Sequence, residues 1–233
     1  MSYGLDEMTW RDVGRALAEN PRLILPVGAL EQHGPHLPLG SNILIAQRVA
    51  REVSQRLRIL RAPIFSYGVT VDRGPSPGRA GLRRKTLHRA INELIGTWED
   101  QGVEHFVIIT AHRFEPHLEA LLMTPSGPAT KSVYDLFQID VSGIIETDPE
   151  IEHAGELETS LMLHLAPDLV HMDRARDFMP SGGKLRKYTR RRVPTPPLDS
   201  EGVLGAPTLA SAEKGSEVFT RYVEMLCGAE KRR

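Results

Sequence analysis

Apolar positions along the chain fall into short continuous runs separated by longer segments with helical spacing. Two continuous runs have the length of a strand, at residues 23–27 and 106–110, and two further strands are predicted at 59–64 and 133–139. Runs of this length, bounded by glycine, proline or polar residues, are typical of buried strands. The pattern therefore predicts at least four strands spread along the chain.

Between these runs, apolar residues recur every three or four positions. The clearest case is residues 86–101, where Leu87, Ile91 and Trp98 share one face and Gly102 follows the segment. Such spacing indicates an amphipathic helix. Other helices are predicted at 8–17 with Thr9 as N-cap, after a cap at Ser41 or Asn42, at 156–165, and after Ser211. Strands that alternate with helices predict an α/β fold, a single three-layer α/β/α domain over residues 1–233 with a mostly parallel sheet.

Composition narrows the possible partners. The 233 residues fit one α/β domain, and the 40% hydrophobic and 25% charged content is ordinary for a globular protein. A net charge of −1 favours neither nucleic acid nor membrane, and no apolar run is long enough to span a bilayer. The only cysteine, Cys227, excludes an intrachain disulfide, and the first residues do not read as a secretory signal. We therefore expect a cytoplasmic protein with no nucleic-acid or membrane partner.

A basic stretch lies near the C-terminus. Residues 179–201 are rich in proline, glycine and arginine and are predicted to form a flexible basic loop. The run at 184–192 is compatible with a nucleic-acid contact, but the chain as a whole is not basic. We expect a solvated loop, and a contact with an anionic substrate or a partner subunit stays open.

Three clusters of histidine and glutamate follow strands or open a helix. Side chains at the carboxyl ends of parallel strands reach a common crevice, and a carboxylate oxygen with an imidazole nitrogen suits a divalent metal such as zinc or manganese. Three such clusters make a metal site a stronger prediction than one alone. The clusters are Glu31 with His33, His112 with Glu115, and His153 with Glu156 and Glu158.

Three blocks of sequence resemble the creatininase (creatinine amidohydrolase) family. They read LILPVGALEQHGPHLPLGSN at 23–42, EHAGELETSLMLHLAPDLV at 152–170 and GAPTLASAEKG at 205–215, in the order that the family has them. The resemblance implies a creatininase-like fold and a metal-dependent amidohydrolase that cleaves a C–N bond of a small cyclic or linear amide. It also implies a divalent metal (zinc, manganese or iron) and a compact homo-oligomer, a hexamer.

The resemblance assigns roles to particular residues. Glu31, His33 and His112 match metal ligands, His153 matches a histidine that handles protons, and Glu158 matches a site glutamate of the ETS triplet. We therefore expect Glu31, His33, His112 and Glu158 to converge in one crevice at the carboxyl ends of the strands.

The chain departs from the family at the metal ligands. Asn42 stands where the family has an aspartate that bridges two metals, and Phe114 stands where creatininase has an acidic residue. Asparagine offers only one neutral carbonyl oxygen, so it offsets the repulsion between two cations less well than a carboxylate. We expect at most one tightly bound metal, with Asn42 near it and Glu115 or Glu158 as a substitute ligand. Its three ligands are expected to be Glu31, one of His33 and His112, and Glu158.

Two arginines, Arg79 and Arg113, lie close in sequence to the expected site, and with Phe114 they are candidate substrate-binding residues. A guanidinium is always charged and fits carboxylates. For Arg113 three alternatives are open: a surface position, a contact with an anionic substrate, or a cation that replaces the metal by neutralising Glu31 and Glu158. The last would make the protein a non-catalytic scaffold or binding module. A family hydrolase for a formamide or a modified-peptide end is a further alternative.

Overall fold

The computed structural model describes residues 3–70, 77–123, 127–148, 152–179 and 198–233. Most of the predicted loop at 179–201, including the basic run at 184–192, lies outside the described residues. No helix in these ranges has the length and apolar character that crossing a membrane would require.

The centre of the fold is a four-stranded sheet in which every neighbouring pair is parallel. The strands are β1 (Arg22–Val27), β2 (Leu60–Arg61), β3 (His105–Thr110) and β4 (Thr130–Asp135), in the order β2-β1-β3-β4. In register, Val27 of β1 lies beside Thr110 of β3, which lies beside Asp135 of β4. The carboxyl ends of these three strands therefore meet at one edge of the sheet.

Six α-helices of the described ranges cover the sheet. They are α1 (Trp10–Glu19), α2 (Ser41–Leu57), α3 (Arg84–Glu99), α4 (Glu115–Leu122), α5 (Glu156–Leu165) and α6 (Ala212–Lys231). Thr9 caps α1 and Ser211 caps α6, each accepting a backbone N–H through its side-chain oxygen, as predicted. The predicted cap of α2 is wrong by one residue: Gly40 is the N-cap, and Ser41 lies inside the helix with its hydroxyl bonded to the carbonyl of Pro38.

The two faces of the sheet carry separate hydrophobic cores. Ile24 and Val107 belong to a core with α2, α5 and α6, whereas their neighbours Leu25 and Phe106 belong to a core with α3 and α4. Because successive residues of a strand point to opposite faces, a strand covered on both sides must be apolar at consecutive positions. The predicted three-layer α/β/α architecture is confirmed.

Element ends differ from the sequence prediction in two strands. The strand predicted at 133–139 ends at Asp135, because the Asp135 carboxylate accepts the N–H of Phe137 and starts a 3-10 helix (Leu136–Gln138). The strand predicted at 59–64 keeps only two paired residues, Leu60–Arg61. Helix α4 was not predicted, since its eight residues give too short a periodic pattern.

Helix α5 is held close to α6 at Gly215. A Cβ atom at Gly215 would lie 1.9 Å from the carbonyl oxygen of Ser160, so only glycine permits this approach of the two helices. Helix α5 carries Glu158, and its position against the sheet therefore depends on this contact.

Candidate metal centre

Polar side chains from four parts of the chain converge beyond the carboxyl ends of β1 and β3. Glu31 and His33 follow β1, and His112 follows β3. Asn42 lies in the first turn of α2, and Glu158 lies in the first turn of α5. The structure brings Glu31, His33, His112 and Glu158 together in one cluster, as expected from the sequence.

Asn42 lies in the middle of this group. Its amide nitrogen donates to Glu31 Oε1 (2.7 Å) and lies 3.2 Å from His112 Nδ1, while its oxygen Oδ1 is 3.1 Å from His33 Nε2. Asn42 is almost fully buried. The residue that replaces the family's bridging aspartate therefore connects the other candidate ligands through hydrogen bonds.

Two imidazole–carboxylate pairs flank Asn42. His112 Nδ1 lies 2.7 Å from Glu31 Oε1, and His33 Nε2 lies 3.2 Å from Glu158 Oε1. Burial lowers the pKa of His33, but the charge and hydrogen bond of Glu158 raise it to about 9. Burial raises the pKa of Glu31, but His112 beside it more than reverses this and holds the carboxyl well below its usual range. Each carboxylate is thus neutralised by its own imidazole.

The outer ring nitrogens of three histidines face backbone carbonyls. His33 Nδ1 donates to Glu31 O (3.2 Å), His112 Nε2 to Val69 O (2.8 Å), and His153 Nε2 to Gln32 O (2.9 Å). A carbonyl oxygen can only accept, so it places a proton on that nitrogen and directs the other nitrogen of the ring toward the cluster. This outer hydrogen bond is the usual companion of a metal-ligating histidine.

Glu31, His33 and His153 form a compact donor set. One ligand atom from each lies within 4.8 Å of the others, and the rings of His33 and His153 are 4.8 Å apart between centroids. Burial, followed by the charge of His33, lowers the pKa of His153, which favours the neutral imidazole that a metal requires. One carboxylate oxygen and two imidazole nitrogens fit a zinc or manganese ion.

The structure does not bring two of the clustered glutamates to this centre. Glu115 is the exposed first residue of α4, and its carboxylate makes no hydrogen bond to the cluster in the described part of the chain. Its predicted role as a substitute ligand is therefore not supported, because the helix begins there and directs the residue to solvent. Glu156 is buried, but it accepts hydrogen bonds from Lys214 (2.5 Å) and the backbone of Thr147.

Arg113 is neither on the surface nor the partner of Glu31 and Glu158. Its side chain is 12% exposed, and Nε lies 3.9 Å from the Asp135 carboxylate, with the guanidinium 6.0 Å from the ring centroid of Phe137. Of the three alternatives, the surface position is wrong. Arg113 is also not needed to neutralise Glu31 and Glu158 in place of a metal, because His112 and His33 pair with these two carboxylates.

Phe114 and Arg79 lie at the border of the cluster. The Phe114 ring is 6.0 Å from that of His112 between centroids and packs against the core under α3 and α4. Arg79 is half-buried and precedes Ala80, whose N–H donates to Leu30 O (3.1 Å). The backbone at Arg79 therefore runs beside the loop that carries Glu31.

Sequence reasoning missed the residues that hold the ligands in place. His117 Nδ1 accepts the N–H of Val69 (3.2 Å), its Nε2 contacts Thr110 Oγ1 (3.0 Å), and its ring meets that of His112 edge-on. It therefore supports the Val69 carbonyl that orients His112. Gln32 provides the carbonyl for His153. Residue spacing could not indicate that His117 and Gln32 orient other histidines, because both roles depend on contacts between distant segments.

A parallel α/β sheet binds its ligands at the carboxyl edge, and the histidine–glutamate centre there can hold a divalent metal, as the sites of metal-dependent hydrolases do. The family model of creatininase, described as creatinine amidohydrolase, matches residues 6–229, and the chain belongs to the creatininase family.

Curated relatives of the chain are hydrolases. The creatinine amidohydrolase of Pseudomonas putida is 29% identical over 98% of this chain and 96% of its own length. The mycofactocin precursor peptide peptidase of Mycobacterium tuberculosis is 29% identical over 88% of this chain and 82% of its own. The 3-dehydro-scyllo-inosose hydrolase of Thermotoga maritima is 27% identical over 94% of this chain and 80% of its own length. The predicted class, a creatininase-family metal-dependent amidohydrolase, is confirmed.

Solved creatininase structures share the fold over the whole chain. A creatininase variant of type II matches with a TM-score of 0.86 at 27% identity, covering 100% of this chain and 98% of that one. A variant of the Zn–Zn type and the manganese form match with TM-scores of 0.84 and 0.85 at 27% and 26% identity, each over the same shares of the two chains. Together with the donor set, these structures support a divalent-metal cofactor.

Proposed function

We propose that the protein hydrolyses a C–N bond of a small amide with one divalent cation (zinc, manganese or iron) held by Glu31, His33 and His153. The observation that carries the proposal is the donor set itself: three ligand atoms within 4.8 Å, with both imidazoles oriented by backbone carbonyls. A divalent cation at such a site supplies Lewis acidity that polarises a carbonyl and acidifies water.

Glu158 is the proposed general base. Burial raises the pKa of Glu158, but positive charge beside the carboxylate lowers it by more. That charge is a protonated His33 when no metal is bound, and a cation held by the donor set would supply it otherwise. The N–H of Ala154 donates to Oε2 at 2.5 Å and fixes the carboxylate beside the donor set. Glu158 is thus placed to take a proton from water and to deliver it to the leaving nitrogen. Since His153 is a ligand in this proposal, the proton-handling role predicted for it passes to Glu158.

A single cation is proposed because of Asn42. Its N–H group points to Glu31 and His112, where a bridging aspartate would present an oxygen. A donor directed at that position disfavours a second cation between Glu31 and His112. We propose that His112 instead orients Glu31 through their 2.7 Å contact.

The proposed substrate contacts are Phe114 and Arg79, at the border of the cluster, and Arg113, which follows His112 directly. An aromatic ring in place of creatininase's acidic residue changes the shape and charge of the pocket, so creatinine is expected to be a poor substrate. Creatinine turnover of about 1–1000 per second would contradict this. The second candidate substrate is the end of a modified peptide, by analogy with the mycofactocin precursor peptide peptidase, to which the chain is 29% identical.

Elemental analysis of protein purified without chelator tests the metal site. One equivalent of zinc, manganese or iron per chain is expected, and Asn42→Asp should raise the number. Two equivalents in the unaltered protein would overturn the single-cation proposal. If no cation binds even when zinc or manganese is supplied, the scaffold alternative is favoured instead.

Family resemblance also supports a homo-oligomer, a hexamer. Light scattering coupled to size-exclusion chromatography tests this assembly, and a mass near that of one chain would contradict it. A cytoplasmic location stays a prediction from the cysteine content.

A further inference from the structure

His153 is fixed by backbone contacts on two sides. Its own N–H and C=O pair with the C=O and N–H of Leu204 at 2.9 and 2.8 Å. Its ring nitrogen Nε2 donates to Gln32 O at 2.9 Å, and the other nitrogen, Nδ1, lies 4.0 Å from Glu158 Oε2. The position of the ring therefore depends on where the loop at Gln32 lies relative to residues 200–205, here called the return segment.

The Gln32 side chain joins that loop to the return segment. Its Nε2 donates to Gly202 O (3.2 Å), and its Oε1 accepts the N–H of Gly34 (2.9 Å). The two ends of the amide have different partners, a carbonyl and an N–H, so only one orientation of the amide satisfies both. The same Nε2 lies 3.0 Å from His153 Nε2; since both nitrogens donate to carbonyls, this is a packing contact and not a hydrogen bond.

Gly202 leaves space for this contact. A Cβ atom at Gly202 would lie 1.8 Å from Gln32 Oε1, far inside contact distance. The residue also has a φ of +88°, which glycine adopts at little cost. Any other residue at 202 would displace the Gln32 side chain from between the two segments.

We propose that Gln32 and Gly202 are positioning residues that set the place of His153 in the donor set. The proposal rests on the ligand role of His153 proposed above. The Gln32 carbonyl orients the ring, the Gln32 side chain holds that carbonyl against the return segment, and the return segment holds the backbone of His153. Partners of metal-ligating histidines typically affect metal affinity by about 10- to 100-fold, and we expect an effect of this size here.

The first test compares Gly202→Ala with Gly102→Ala. Gly102 has a similar φ of +96°, but a Cβ there would meet nothing within 4 Å. Both variants carry an alanine in a left-handed conformation, and only Gly202→Ala collides with Gln32. We expect Gly202→Ala to bind Co²⁺ about 10- to 100-fold more weakly and to change the visible absorption spectrum of bound Co²⁺. Gly102→Ala should lower thermal stability and leave both properties unchanged.

The second test uses Gln32→Ala, which removes the side chain that Gly202→Ala would strike. Gln32→Ala alone should weaken Co²⁺ binding and change its spectrum, so it tests the proposal even if Gly202→Ala does not fold. In the Gln32→Ala background, Gly202→Ala should cause little further loss of affinity, because the colliding atom is gone. Full additivity of the two losses, or an equal loss in Gly102→Ala, would overturn the proposal.

His153→Ala separates this inference from the ligand assignment. If His153→Ala binds Co²⁺ as tightly as the unaltered protein, the proposed ligand set is wrong. If His153→Ala loses affinity while Gly202→Ala and Gln32→Ala keep both affinity and spectrum, the ligand set stands and the positioning role alone is wrong.

Discussion

Buried histidine–glutamate pairs lie at both ends of the same sheet. At the carboxyl end, His33 pairs with Glu158 and His112 with Glu31. At the opposite end, His105 opens β3 and lies 3.3 Å from Glu230 of α6. All three pairs combine an imidazole and a carboxylate that are largely shielded from water. Residue type and burial therefore do not distinguish a candidate metal centre from a structural contact.

The other partners of each imidazole make the distinction. His105 Nδ1 contacts Thr130 Oγ1 (2.7 Å), and its Nε2 contacts Ser132 Oγ (3.1 Å) as well as Glu230. Both ring nitrogens are thus occupied by side chains of the sheet and α6. At the carboxyl end, one nitrogen of each ring is held by a backbone carbonyl and the other faces several donors at a common centre. An outer nitrogen fixed by a backbone carbonyl, with an inner nitrogen directed at a cluster of other candidate ligands, is the feature that indicates a metal ligand.

The largest expected effect is the loss of metal binding in Glu31→Gln. Glu31 is the only carboxylate of the donor set, and glutamine replaces its charge by a neutral oxygen. We expect Co²⁺ affinity to fall by more than the roughly 100-fold typical of residues that only support a ligand, measured by calorimetry. Glu230→Gln is the matched control at the other end of the sheet and should keep full affinity. Equal losses of Co²⁺ affinity in the two variants would mean that metal binding does not distinguish the two ends of the sheet.

The unfolding free energy, in contrast to metal affinity, is expected to depend strongly on Glu230. Glu230→Ala removes one partner of a buried pair and also the acceptor of the Tyr134 hydroxyl at 2.6 Å. Breaking such a pair costs about 3–5 kcal/mol of unfolding free energy, to be measured by urea denaturation. Glu217→Ala, an exposed position on the same helix, is the control and should change little. A loss below about 1 kcal/mol in Glu230→Ala would show that this pair does not hold α6 to the sheet.

Low pH should weaken the contacts of Glu230 with His105 and Tyr134. Burial raises the pKa of Glu230, but hydrogen bonds from His105 and Tyr134 lower it to about 2, below its ordinary 4.5. A carboxyl with a lowered folded-state pKa stabilises the protein above the unfolded-state value and loses that contribution as pH falls through the folded-state value. We expect a loss approaching 3 kcal/mol between about pH 4.5 and 2. In Glu230→Gln this part of the pH dependence should be absent, and an unchanged profile would contradict the assignment.

The smallest effect is expected from Ser132→Ala. The change removes one hydrogen bond to His105 Nε2 and leaves the Glu230 contact in place. A single hydrogen bond contributes about 1 kcal/mol to stability, so a modest fall in unfolding free energy should result. Co²⁺ affinity should not change, and any loss of it would mean that the two ends of the sheet are coupled.

Sequence patterns predicted the parts of the fold that depend on local periodicity. Strand β3 and helix α5 lie within one residue of their predicted bounds, because apolar runs and helical spacing are properties of the segment itself. The convergence of Glu31, His33 and His112 followed from the rule for the carboxyl ends of parallel strands. The pairing of Arg113 with Asp135 could not be predicted, since it depends on the register of β3 and β4.

Contacts between distant segments account for the rest. Gln32 and Gly202 are separated by 170 positions, and neither residue type indicates the other. Glu115 was assigned to the site by its proximity to His112 in sequence, but the start of α4 turns it to solvent. Proximity along the chain was therefore a poor guide where a helix begins.

The donor set joins early and late parts of the chain, and this has a consequence for folding. Gln32 and His153 are 121 positions apart, so Glu31 and His33 meet His153 only after most of the chain has been synthesised and has folded. Loop closure over such a distance is slow and entropically costly. A cation that binds only the closed arrangement would stabilise the native state by about 2.7 kcal/mol at a free concentration 100 times its dissociation constant. Metal supply would then determine how much of the newly made chain remains folded, independently of turnover.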